Sequence, residues 1–216
     1  MEKARVVVAD DHAIVRMGVR EVVEADPRFA VVGVASSSSE LVRLCAGLAP
    51  DIVIADYNMP GDASYGDGLK LMGYLLRHFP RSRLLIYTML SNQLLLSSLY
   101  DLGVAGVVLK SGDLGEIRTA LNAILRGRVY RCQHMRSGHS VVDAGDDIEG
   151  RIASLSTREF EVLRYFVSGL SVRDIAQLLD RSVKTVSAQK VAAMRKLDVD
   201  NDPSLLTFCI KAELFP

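Results

Sequence analysis

At 216 residues the chain is long enough for one large domain or two small ones. Lys plus Arg and Asp plus Glu both number 26, so the formal net charge is zero and says nothing about partners; local clusters must carry that information. No apolar stretch reaches the roughly 18 residues of a membrane span, and Met1 to Arg5 leads into a strand pattern without the apolar core of a signal peptide; the expectation is a cytoplasmic protein with no membrane partner. Cys45, Cys132 and Cys209 are an odd, widely spaced set, and Cys45 and Cys209 sit in apolar patterns that read as buried thiols in a reducing cytosol.

The first 127 residues alternate strand-like and helix-like segments. Arg5 to Ala9, Ala30 to Ala35, Ile52 to Ala55, Arg83 to Tyr87 and Val104 to Leu109 are apolar or β-branched runs, as expected of strands covered on both faces. Helical patterns lie between and after them at Ala13 to Ala25, Ser39 to Leu48, Leu69 to His78, Gln93 to Leu102 and Leu114 to Arg126. In the first, Ile14, Val15, Val19, Val22 and Val23 form one apolar stripe. Repeated βα units predict an α/β domain over residues 1–127: a doubly wound five-stranded parallel sheet with right-handed crossovers.

From Tyr130 to Ala153 the periodicity fades, and residues 128–152 read as a linker. Cys132, His134 and His139 are metal-ligand types, but they lack the second pair and rigid frame of a closed tetrahedral site. Residues 153–216 predict an all-α domain of four helices. Ser156-Thr157-Arg158-Glu159 is a capping box ahead of Phe160, Val162, Leu163 and Phe166. Gly169 ends that helix. Ser171 with Asp174 starts a second helix carrying Ile175, Leu178 and Leu179. Ser182 starts a third, with Val183, Val186, Met194 and Leu197 expected on its inner side; a last helix runs from Ser204 to Glu213 with Leu205, Leu206, Phe208 and Cys209. Helix, short turn, helix with a polar outer face is helix-turn-helix architecture.

Four of the apolar runs end in distinctive polar residues: Asp10-Asp11, Asp56, Thr88 and Lys110. If the runs are neighbouring parallel strands, these residues converge in the crevice where open α/β sheets bind ligands. A hard cation such as Mg²⁺ takes oxygen ligands, which Asp11 and Asp56 can supply directly and Asp10 through water. A carboxylate can also be a nucleophile and form an aspartyl-phosphate. Lys110 would then supply a point charge and Thr88 a hydrogen bond to the phosphoryl group. A single polar residue at a strand end usually just caps a loop; the four together, on alternating βα units, are specific. His12, directly after the acidic pair, fits a helix start better than a catalytic role.

Residues 1 to about 127 resemble a response-regulator receiver domain, which has the flavodoxin-like fold. The resemblance is carried by Ala9-Asp10-Asp11-His12, Asp56-Tyr57-Asn58-Met59-Pro60, Thr88 and Val108-Leu109-Lys110. It implies that Asp56 is the phosphoacceptor, that Asp10, Asp11, Asp56 and the Asn58 backbone carbonyl hold Mg²⁺, and that Thr88 and Lys110 contact the phosphoryl group. Two departures stand out. Val107 occupies the position three before Lys110 where many receivers have an aromatic switch residue, and Ser111 replaces the common proline after Lys110.

Leu155 to Glu159, Val162-Leu163, Gly169-Leu170-Ser171, Ile175-Ala176, Lys184-Thr185-Val186 and Met194 to Leu197 resemble the LuxR/NarL helix-turn-helix. Within that family the likeness extends to Pro60-Gly61-Asp62, Tyr65 to Gly68, Arg77 to Pro80 and Arg181 to Lys190. From Arg158 to Lys196 basic residues outnumber acidic ones, eight (Arg158, Arg164, Arg173, Arg181, Lys184, Lys190, Arg195, Lys196) to four (Glu159, Glu161, Asp174, Asp180), which suits phosphate contact. Lys184, Ser187, Ala188 and Val191 are expected near bases, and Thr185, Lys190, Arg195 and the helix starts at Ser182 and Ser171 near phosphates.

The resemblances together imply a two-component response regulator and transcription factor, itself not an enzyme, in which phosphorylation of Asp56 shifts dimerisation and promoter binding. Its partners would be promoter DNA, a sensor histidine kinase or histidine phosphotransfer protein, a second copy of the chain, or an auxiliary LuxR-type regulator in a heterodimer. Two alternatives stand beside it, and a third, a pure protein-interaction module, is disfavoured by the basic third helix. One is a phosphorylation-independent regulator acting with such an auxiliary partner. The other is an Mg²⁺-dependent phosphohydrolase, which would want a carboxylate two residues after the nucleophile, where this chain has Asn58.

Overall fold

The computed structural model describes residues 3–59, 64–89, 93–132, 148–212 and 214–215. Its contacts divide the chain into two units, one built on a sheet and one helical. Pro60 to Asp62, His134 and His139 lie outside the described residues.

The sheet contains β1 (Ala4–Ala9), β2 (Phe29–Ala35), β3 (Ile52–Ala55), β4 (Arg83–Thr88) and β5 (Gly106–Leu109). All neighbouring pairs are parallel, in the order β2-β1-β3-β4-β5. The order reverses direction between β1 and β3, which opens a crevice at the strand ends there. The helices are α1 (Ala13–Glu24), α2 (Ser38–Leu48), α3 (Gly68–His78), α4 (Gln93–Leu102) and α5 (Glu116–Leu125). On one face Val6, Val8, Ile52, Ile54, Leu85, Tyr87 and Val108 pack with Val19 and Val23 of α1 and Ile117, Ala120, Leu121 and Ile124 of α5. The first-helix stripe is narrower than expected, since Ile14 is 76% exposed.

In the sheet unit β5 and α5 each start two residues later than expected, for local reasons. Val104 is not in β5, because its N–H donates to the Leu99 carbonyl and closes the turn after α4. Residues 113–115 form a turn before α5, with the Gly115 N–H donating to Asp113 Oδ1 at 3.1 Å. Part of the expected linker pairs with the sheet. Tyr130 forms a parallel bridge with Gly106, and its N–H donates to the Ala105 carbonyl at 2.9 Å. A Cβ on Gly106 would meet the Tyr130 Cβ at 3.0 Å, so only glycine lets this segment lie so close to β5.

The helical unit contains α6 (Ile148–Ala153), α7 (Thr157–Val167), α8 (Val172–Leu178), α9 (Val183–Lys196) and α10 (Asp202–Lys211). The short α6 is a helix beyond the four expected. Six residues are too few for a periodic signal, and Arg151 anchors α6 by donating to the Leu197 carbonyl at 3.0 Å. The boxes at Ser156–Glu159 and Ser171–Asp174 form as their sequences predict, and Gly169 takes φ +92° just past α7. The start of α10 comes two residues earlier than expected, because the Asn201 side chain accepts from the Ser204 N–H and Pro203 fits the first turn. Val162, Tyr165, Ile175, Ala176, Leu179 and Val186 form the core of this unit.

Candidate functional site: a carboxylate–lysine pocket and an exposed helix face

Strand register brings the acidic residues of the sheet together. Ala9 of β1 pairs with Ala55 of β3, and the next residue of each strand is an aspartate. The Asp56 N–H donates to the Ala9 carbonyl at 2.9 Å. Leu109 of β5 pairs with Thr88 of β4, and the Lys110 N–H donates to the Thr88 carbonyl at 2.8 Å. Asp10, Asp56 and Thr88 are all buried. Lys110 reaches across the strand ends, placing Nζ 2.6 Å from Asp10 Oδ2 and 2.7 Å from Asp56 Oδ2.

The electrostatics follow from this geometry. Burial pushes the Asp56 carboxyl above the ordinary carboxylate value; Lys110 opposes that push and Asp10 adds to it. Burial acts to lower Lys110, but Asp56 and Asp10 outweigh it and hold the ammonium above its ordinary value. The other Asp56 oxygen, Oδ1, accepts the Asn58 N–H at 3.2 Å. Asp10 and Asp11 belong to a group of ligand atoms lying within 4.8 Å of one another. Asp11 Oδ1 is sealed from solvent without a well-formed hydrogen bond, although His12 Nδ1 lies 2.7 Å away. Hard oxygen donors and a buried, poorly satisfied carboxylate oxygen fit a divalent cation such as Mg²⁺.

Sequence reasoning missed two residues here. Arg16 Nη1 donates to the carbonyls of Asp10 at 2.7 Å and Asp11 at 3.0 Å, which fixes the loop bearing both carboxylates. A cation in the first turns of a helix opposes the dipole, and that misfit was the available signal. Tyr87 lies with its ring centroid 5.7 Å from Lys110 Nζ, and burial raises its hydroxyl pKa. Its identity as the residue before Thr88 carried no signal. Val107 is fully buried within β5. Nearby, the Tyr100 hydroxyl of α4 donates to the Tyr130 carbonyl at 3.1 Å, and Arg131 lies over the Tyr100 ring at 4.7 Å. An aromatic residue therefore links α4 to the segment after α5, although the β5 position is aliphatic.

In the helical unit, α9 buries Val186 and Ala193, followed by Leu197, and presents Lys184, Thr185, Ser187, Ala188, Val191 and Arg195 to solvent. Val183, expected on the inner side, is instead 49% exposed, because it is the first helical residue and precedes the packed turn. Of the eight basic residues counted in the sequence, four are engaged within the unit. Arg164 is buried over the Tyr165 ring, Arg181 pairs with Glu161 at 2.7 Å, and Lys196 pairs with Glu159 at 2.7 Å. Lys190 pairs with Asp202 at 2.7 Å and lies 3.7 Å from the Phe166 ring centroid, turned from the exposed line of the helix. Arg158, Arg173, Lys184 and Arg195 are exposed. Thr185 shares a hydroxyl contact of 2.7 Å with the capping Ser182.

Cys45, Cys132 and Cys209 are free and buried, and burial pushes the Cys45 thiol up to about 12 and Cys209 up to about 11. Among the described residues, no helix is long and apolar enough to cross a membrane.

Comparison with known proteins agrees with this geometry. Residues 6–122 match the response regulator receiver domain, and residues 153–209 match the bacterial regulatory proteins of the luxR family. Over 216 residues the chain is 38% identical to the transcriptional regulatory protein RcsB of Escherichia coli strain K12, covering all of this chain and 98% of that protein. RcsB from Salmonella enterica serovar Typhimurium, bound to promoter rprA in the presence of phosphomimetic BeF3⁻, superposes with a TM-score of 0.79 at 37% identity, covering 96% and 98% of the two chains. A structure of two RcsB dimers bound to two parallel DNAs gives the same TM-score, identity and coverage.

Proposed function

Because the chain belongs to the response regulators that join a receiver domain to a LuxR-family regulatory domain, and is a two-component response regulator and DNA-binding transcription factor, we propose that Asp56 is its phosphoacceptor. A sensor histidine kinase or histidine phosphotransfer protein supplies the phosphoryl group in the cytoplasm. An Asp56 carboxylate oxygen attacks phosphorus as the phosphorus–nitrogen bond to the donor histidine breaks, and that nitrogen recovers a proton. Lys110 moves from pairing with the carboxylate to pairing with the phosphoryl oxygens, and the Thr88 hydroxyl hydrogen-bonds them. Asp10, Asp11, Asp56 and the Asn58 carbonyl would hold Mg²⁺, which supplies charge neutralisation when bound. Asn58 provides no general acid for rapid hydrolysis, which favours a stored phosphoryl group over phosphatase turnover.

In this reading residues 1–127 are the switch, 128–152 the connection and 153–216 the DNA reader. Phosphorylation favours a dimer-competent state, and paired reader domains occupy two promoter half-sites. An auxiliary LuxR-type chain could replace one copy. Lys184, Ser187, Ala188 and Val191 approach bases, while Thr185 and Arg195, with the helix starts at Ser171 and Ser182, approach phosphates. Lys190 joins them only by leaving Asp202.

The observation that carries the proposal is the Lys110 ammonium held between Asp10 and Asp56 at adjoining strand ends. Purified chain treated with acetyl phosphate and Mg²⁺ should gain one phosphoryl group by intact mass, shift toward dimer and bind promoter DNA more tightly. Asp56→Asn should do none of these. An unchanged phosphodonor response in that variant would overturn the proposal, and steady turnover of small phosphoesters would revive the phosphohydrolase.

A further inference from the structure

We infer that Val191, flanked by Ala188, reads the C5-methyl group of thymine, so that each half-site contains an A·T pair recognised through that methyl rather than through a hydrogen bond. The inference rests on the reading of α9 as the DNA-facing helix and concerns what that helix recognises. At about 100° per residue, Lys184, Ala188, Val191 and Arg195 fall along one line, opposite the buried Val186, Ala193 and Leu197. That line begins and ends in a cation and is apolar in its middle. Val191 is 50% exposed there. A single exposed valine is ordinary on a protein surface; its position between two cations, facing away from the packed side, is what makes it informative.

The polar neighbours of Val191 do not cover it. Gln189 accepts from Arg181 Nη1 at 3.4 Å, and Lys190 is drawn to Asp202 and the Phe166 ring. What Ala188 and Val191 themselves offer at mid-line is therefore a methyl surface with no donor or acceptor of its own, bordered by the exposed Ser187. In the major groove thymine alone among the four bases presents a methyl group, and apolar side chains contact it. Lys184 and Arg195 lie about 16 Å apart along the axis, enough to meet phosphates or guanine edges on either side. Ala188 and Val191 are about 4.5 Å apart along the axis, a little more than one base-pair step of about 3.4 Å. Their methyl groups can thus address neighbouring pairs.

The test uses the full-length protein and duplexes it selects from a random-sequence pool. Each thymine of the selected half-site is replaced singly by uracil, which pairs identically and lacks only the methyl group. At one position or more, uracil should weaken wild-type binding about three- to fivefold, the effect of losing one buried methyl contact. Val191→Ala should weaken binding to the thymine duplex by a similar factor and abolish the uracil effect at that position. Val191 is exposed, so this variant should keep the wild-type melting temperature. Tolerance of uracil at every position, or the same uracil sensitivity in Val191→Ala, would overturn the inference while leaving DNA binding intact. Failure to enrich any duplex would overturn both.

Discussion

The two units use charge in opposite ways. In the receiver unit, Asp10 and Asp56 are buried and the largely covered Lys110 lies within ion-pair distance of both, so the positions of the three are coupled. On α9, Lys184 and Arg195 are exposed and far apart, with freedom to follow a ligand. A buried cluster has a large energy at stake when one member changes, which suits a switch. An exposed face changes affinity with little effect on stability, which suits a reader. Between these limits lie the ion pairs of the helical unit, where basic residues that resemble DNA contacts in the sequence hold the fold together.

The largest effect should come from Lys110→Ala. Removing the ammonium leaves two buried carboxylates facing each other, and the receiver unit should lose about 3 kcal/mol in denaturant unfolding. Mg²⁺ should restore part of that loss, so the variant should gain more stability from added Mg²⁺ than wild type does. An equal gain in both would mean that Lys110 does not neutralise the carboxylates a cation would occupy.

The contrast within the helical unit comes next. Arg181→Ala should cost about 2 kcal/mol, because Glu161 remains buried and loses its partner. Arg195→Ala should leave the melting temperature unchanged yet lower the salt dependence of DNA binding by about one unit in slope. If the two variants shifted stability equally, the division between structural and reading cations would fail.

Glu159 allows a smaller test by pH. Burial acts to raise its pKa, but hydrogen bonds from Lys196 and Ser156 outweigh it and hold the carboxyl below the ordinary 4.5. Its stabilising contribution is therefore complete above about 4.5 and is lost as pH falls through the lower folded value. Glu159→Gln should lower the stability of the helical unit by about 1 kcal/mol at neutral pH and flatten the acid limb of its melting curve. The smallest effect is expected from Tyr100→Phe, which removes one hydrogen bond to the Tyr130 carbonyl. It should cost about 0.5 kcal/mol and speed amide exchange at Tyr130 and its neighbours without changing phosphoryl uptake.

Much of this was legible in the chain because the signals are local. Continuous apolar runs produced the strands, Ser-x-x-Glu and Ser-x-x-Asp boxes produced helix starts, and polar residues at strand ends marked the pocket. Parallel pairing then converts sequence order into spatial order, so Asp10 and Asp56 had to meet once Ala9 paired with Ala55. Long-range partners were not legible. Nothing adjacent to Arg16 says that it will clamp the Asp10 and Asp11 carbonyls. The short α6 depends on Arg151 reaching a carbonyl at Leu197.

The amino-acid order alone determined the two architectures, the acidic–hydroxyl–lysine set and the outward face of α9, because each follows from continuous apolar runs and their polar ends, from the 3.6-residue helical period or from capping chemistry. Tertiary structure alone decided which charges remain available. Lys190, Arg181 and Lys196 have the same side-chain chemistry as the exposed Lys184 and Arg195, but Asp202, Glu161 and Glu159 engage them across gaps of 12, 20 and 37 residues. An ion pair depends on distance through space, and no local pattern in the sequence encodes that distance.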